Sequence, residues 1–126
     1  MFGLFGKFGR ARELRQLDQA LRAFDVHDAM VPDAVELTAI RLMKDARGGA
    51  PQPEDYETTA ELLAYCMIGA EGFAGANSEA QALAVEARIE RALEAGDTLD
   101  ARLILLTLHA GIIQPSVVAL FELEQG

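Results

Sequence analysis

A chain of 126 residues, 51% of them hydrophobic and 25% charged, is long enough to bury a continuous core and too apolar to be disordered. Its one cysteine excludes an internal disulfide and suits an intracellular, cytoplasmic protein. A formal net charge of −9 makes the body a poor match for phosphate backbones, so nucleic acid is not an expected partner.

The charge is unevenly placed. Residues 1–22 carry Lys7, Arg10, Arg12, Arg15 and Arg22 against Glu13 and Asp18, a balance of +3 that leaves −12 on the rest. Residues 2–10 are three tandem tripeptides: Phe2-Gly3-Leu4, Phe5-Gly6-Lys7 and Phe8-Gly9-Arg10. Each glycine costs about 1 kcal/mol relative to alanine inside a helix, which argues against a stable helix here. Phe2, Phe5 and Phe8, with Lys7 and Arg10, make a candidate arm for a protein partner, a second subunit or an anionic membrane surface. A strap over the chain's own core, or a frayed end, is the plainer alternative. The apolar run is too short for a signal peptide, and its charges follow it rather than precede it. The expected organisation is an arm over 1–9 and a single helical domain over 10–126.

Alanine is abundant while threonine and valine are scarce, a helical bias. From about Arg10 to Phe24, Leu14, Leu17, Leu21 and Phe24 form one stripe. Arg12, Arg15, Asp18, Gln19 and Arg22 fall opposite, and the three arginines extend the basic contact patch. Pro32 suits the first position of a second helix reaching Arg47, with Asp33 and Glu36 in its first turn. Val35, Ala39, Leu42, Met43 and Ala46 are its expected buried set. A third helix starts at Pro53 and ends between Gly69 and Gly75; it buries Tyr56, Ala60, Leu63, Met67 and Ala70 and is apolar on its other sides too. Ser78 and Gln81 have capping-box spacing for a fourth helix over about Glu79 to Ala95. That helix buries Ala82, Val85, Ile89, Ala92 and Leu93, with Arg88 and Arg91 among the glutamates of its exposed side. Gly96 stops it, and Asp97 is a ready N-cap for the next.

From Leu103 to Phe121 no side chain is formally charged, with His109 neutral, and the stretch is long enough to cross a bilayer. Gln114-Pro115-Ser116 interrupts it, since proline removes a donor and disfavours helix just before itself. Two consecutive helices, about 98–112 and 116–124, are expected instead of a transmembrane span. The first is the expected hub of the core, with His109 as its polar core residue. The second, Val117 to Leu123, becomes a subunit contact if nothing covers it.

His27 and His109 lack a carboxylate at the three- or four-residue spacing of helix-bundle metal sites, which leaves Glu61, Glu71, Asp28 and Asp100 as remote candidates. Cys66 has no basic neighbour and reads as a buried structural thiol. Gly69, Gly72 and Gly75 lack the lysine and the preceding strand of a phosphate loop. No catalytic residue, cofactor or metal is therefore assigned. The expected fold is all-α, a compact bundle of five main helices plus a short C-terminal one, with helices three and five central. The expected function is a non-catalytic helical protein–protein interaction module, with a homodimer as one arrangement. Two other classes remain: a small-ligand or metal-binding helical protein or enzyme using Tyr56, Tyr65, Met67 and a histidine, and peripheral membrane attachment through residues 1–22.

Overall fold

The apolar periodicity is realised as six α-helices and no strand among residues 11–123, which the computed structural model describes, with Asp28 by its backbone alone. They are α1 (Arg12–Ala23), α2 (Asp33–Arg47), α3 (Pro53–Ala76), α4 (Glu79–Ala95), α5 (Leu99–His109) and the short α6 (Pro115–Leu120). A 3-10 turn at Asp28–Met30 joins α1 to α2. The Phe-Gly arm lies outside the described residues.

Local chemistry sets the helix ends. Pro32 is the N-cap of α2 rather than its first residue, with extended backbone at φ −60°, ψ 143°. The Ser78 hydroxyl accepts from the Gln81 N–H at 3.1 Å, as the capping-box spacing predicts. At α5 the cap is Thr98, not Asp97: its hydroxyl accepts from the Ala101 N–H at 3.2 Å. A one-residue shift brings the better-placed oxygen to the same orphan donors.

Helix α3 is the hub and packs against all five other helices. Thr59, Ala60 and every residue from Leu62 to Met67 are buried. At Gly69 the helix breaks, with φ 83° and ψ 170°, a backbone that only glycine adopts readily. The break leaves the Cys66 carbonyl to be satisfied from elsewhere, and the Gln114 N–H donates to it at 2.8 Å. Beyond the break, the remaining turns set Phe73 against Phe24 (ring centroids 6.1 Å apart) and Tyr65 (5.7 Å).

Helix α5 is less enclosed than its composition suggests. Ala101, Leu103, Ile104, Thr107 and Leu108 are buried, but Leu105 is 45% exposed and His109, in the last turn, is exposed. His109 is thus not a core residue: the buried stripe ends one residue before it, and a 100° step turns it outward. The chain's last turns, by contrast, are covered. Val117 is buried, Phe121 meets the Tyr65 ring at 6.4 Å and Leu123 packs on the core, so Leu120 is the large side chain left exposed in α6. That removes Val117 to Leu123 as an uncovered subunit contact. No described helix is long and apolar enough to cross a membrane. Ala46 and Leu93, expected inside, are exposed, because α2 and α4 bury narrower stripes than their composition allows.

Candidate functional site

Helix α1 carries two surfaces. Leu14, Leu17 and Leu21 are buried, and Asp18, expected on the exposed side, is buried with them. Arg12, Arg15 and Arg22 are exposed, as the stripe predicts. Between these surfaces, α1 forms one side of a cleft of about 450 Å³ completed by the first turn of α3 and the α3–α4 junction. That volume lies within the usual range of ligand pockets.

The apolar lining is Ala20, Ala23 and Phe24 from the end of α1, with Pro53 and Tyr56 from α3. Phe24 and Tyr56 are themselves buried, at 8% and 4% exposure. Amide groups supply most of the polar lining: Gln16 and Gln19 on α1, then Asn77 and Gln81 at the α3–α4 junction. Among the described residues, Glu57 is its one charged member. Asn77 donates to the Phe73 carbonyl at 3.2 Å, and Gln81 accepts from the Ser78 hydroxyl at 3.0 Å. Gln16, Gln19 and the Tyr56 hydroxyl have no hydrogen-bond partner among the described residues. Burial, and then the neighbouring Glu13 carboxylate, push the Tyr56 phenol above its ordinary value, so it is a neutral donor at physiological pH. The cleft therefore offers aromatic and methyl surface beside groups that can both donate and accept.

A second polar cluster joins α3, α4 and α5. Arg88 forks onto Asp100 at 2.9 and 3.1 Å and reaches Glu61 at 3.2 Å. Its side chain is only 14% exposed, although the sequence pattern places it on the solvent side of α4. Two residues before it, Glu86 accepts from the Tyr65 hydroxyl at 2.6 Å. Burial first, then this carboxylate, raise the Tyr65 phenol. Cys66, adjacent in sequence, is fully buried, and burial pushes its thiol up to about 12 against the weaker opposing pull of Thr107 and Arg88. Glu61 and Asp100, two of the remote metal candidates, are thereby committed to a guanidinium.

The remaining candidates are scattered. His27 is exposed, and its Nδ1 accepts from the Ala29 N–H at 3.0 Å; Glu71 is exposed on α3. No group of three or more His, Cys, Asp or Glu among the described residues is arranged to hold a metal ion. The trio Tyr56, Tyr65 and Met67 does not converge: Tyr56 lines the cleft, whereas Tyr65 and Met67 are core residues outside its lining. A smaller cleft of about 420 Å³ lies at the Gly69 break, between Glu71 on one side and Gln114 and Ser116 on the other.

Sequence periodicity missed both polar features. The Arg88 cluster unites residues on three helices, and nothing in any one helix marks them as partners. The cleft joins the end of α1 to the first turn of α3 and to Asn77 and Gln81 at the α3–α4 junction, stretches that lie far apart in sequence. In comparison with known proteins, no family model, curated protein or solved structure matches this chain.

Proposed function

We propose that the chain is a helical protein–protein interaction module whose contact surface is the α1–α3–α4 cleft and the arginine face beside it. The observation that carries this reading is the cleft's lining. Buried aromatic surface beside unpaired amides and a phenol suits a polypeptide, whose backbone needs both donors and acceptors and whose apolar side chains need a dry seat. Arg12, Arg15 and Arg22 on the outer side of the same helix favour a partner segment with acidic neighbours. A second copy is one such partner, because the body of the chain is acidic and this end is basic.

A photo-cross-linking residue at Gln19 tests the reading in the full chain. It should trap a defined polypeptide, either a second copy or another protein, and Ala23→Arg should lower the yield at least tenfold. Equal trapping from the exposed Arg91, at the far end of α4, or no effect of Ala23→Arg, would overturn it.

A further inference from the structure

We infer that the polypeptide seated in this cleft is α4 of a second copy of the chain, laid along α1 with Leu83 in the seat and its glutamates on the arginines. The inference rests on the reading of the cleft as a polypeptide seat and adds which polypeptide fills it.

The inserting face is built into α4. Leu83 is 67% exposed, the most exposed large hydrophobic side chain among the described residues. At about 100° per residue, Glu79, Glu86, Glu90 and Glu94 all point within about 60° of it. Glu79, Glu90 and Glu94 are exposed, and Glu86 is half-buried where it accepts from Tyr65. Arg88 and Arg91 lie off this face, about 140° and 80° from Leu83. Helix α4 thus presents an outward leucine, which takes no part in the core, within an acidic stripe.

The receiving face has the opposite sign at a matching length. Gln19 lines the cleft, and Arg12, Arg15 and Arg22 all point within about 60° of it. All three arginines are exposed. At 1.5 Å per residue they span about 15 Å of α1, and Glu79 to Glu90 span about 16 Å of α4. Two such helices laid side by side match charge along their whole contact. Inside the arginine border lie Ala20, Ala23 and Phe24, small and aromatic surface that accepts a leucine side chain. The far side carries Glu57, which repels an acidic helix and holds it against α1.

Recognition of a helix in a groove needs an apolar anchor with flanking charges of the right sign, and every copy already carries one in α4. A copy cannot fill its own cleft with it. Gln81, from the same helix, lines the cleft, and Leu83 points about 160° away from Gln81. Seat and anchor therefore lie on opposite sides of α4. The contact is head-to-tail, and each copy that uses one surface leaves the other for the next.

Sedimentation velocity of the full chain over a hundredfold concentration range tests this. The average mass should rise with concentration and fall again in high salt. Leu83→Arg and Ala23→Arg, both at exposed positions, should each weaken association at least tenfold with the helical circular dichroism unaltered. Mixed in equal amounts, the two variants should form a heterodimer that grows no further, because one keeps its cleft and the other its α4 face. A parent that is monomeric throughout, an association that either variant leaves intact, or a mixture that stays monomeric overturns the inference. A monomeric parent with cleft-dependent trapping from Gln19 refutes the second copy alone. Loss of that trapping as well refutes the cleft as a polypeptide seat.

Discussion

Arg88 holds together three helices that share little else that is polar. Its guanidinium meets Asp100 through two hydrogen bonds and Glu61 through one, in a site where its own side chain is 14% exposed and the carboxylates are 27% and 26% exposed. The forked geometry is one that lysine cannot reproduce. Removing the cation leaves two half-covered carboxylates facing each other. A fully buried pair loses about 3–5 kcal/mol when one partner is deleted, and partial solvation of these carboxylates reduces that figure. Arg88→Ala should therefore cost about 1–3 kcal/mol in urea unfolding. Arg88→Ala with Glu61→Gln should recover part of the loss, since it relieves the repulsion. If the single variant unfolds like the parent, the cluster is ornamental.

At the scale of the element, the break in α3 separates conformational need from composition. Gly69 takes a backbone that a side chain disfavours, and a Cβ there would also sit 3.2 Å from the Ser116 hydroxyl oxygen. Gly75 lies in the same helix with nothing within 4 Å of an added Cβ. Gly69→Ala should thus destabilise by about 1–3 kcal/mol. Gly75→Ala should be neutral or stabilising by up to about 1 kcal/mol. Thermal melting of the two variants side by side checks the contrast, and equal shifts would refute it. The helices themselves were legible: Leu14, Leu17 and Leu21, or Ala82, Val85 and Ile89, announce their buried faces by spacing alone. What spacing could not show is how one helix sits on another. Asp18 is buried on the polar side of its own stripe and Glu36 is buried in the first turn of α2, and neither burial follows from the spacing within its own helix. His109 fails in the opposite sense, at the open end of a helix rich in leucine. For the candidate site, the arginines of α1 were legible from the sequence. The cleft beside them was not, because its lining comes from stretches of chain far apart in sequence.

For the molecule as a whole, the buried acids that ionise above neutrality set an alkaline limit. The Cys66 thiol is pushed from 9.0 up to about 12, and burial raises the phenols of Tyr56 and Tyr65 above 10.0. In each case the folded chain holds its proton to higher pH than the unfolded chain. Stability is therefore fully present below pH 9 and falls as pH rises, first through the thiol from 9 to 12 and then through the phenols as well. The thiol alone contributes a slope of up to about 1.4 kcal/mol per pH unit. Urea midpoints at pH 8, 9, 10 and 11 should stay level and then drop, and Cys66→Ala should flatten the first part of the fall. A flat profile in the parent would contradict the burial. The bond from the Gln114 N–H to the Cys66 carbonyl carries a consequence of a different kind. It closes the central helix with a residue from far downstream, and α6, which follows, packs on the same helix. On a ribosome, the earlier helices emerge and begin to collapse while that carbonyl still lacks its partner. The hub of this fold is thus made midway along the chain and is among the last parts to be finished, and consolidation waits on the arrival of Gln114.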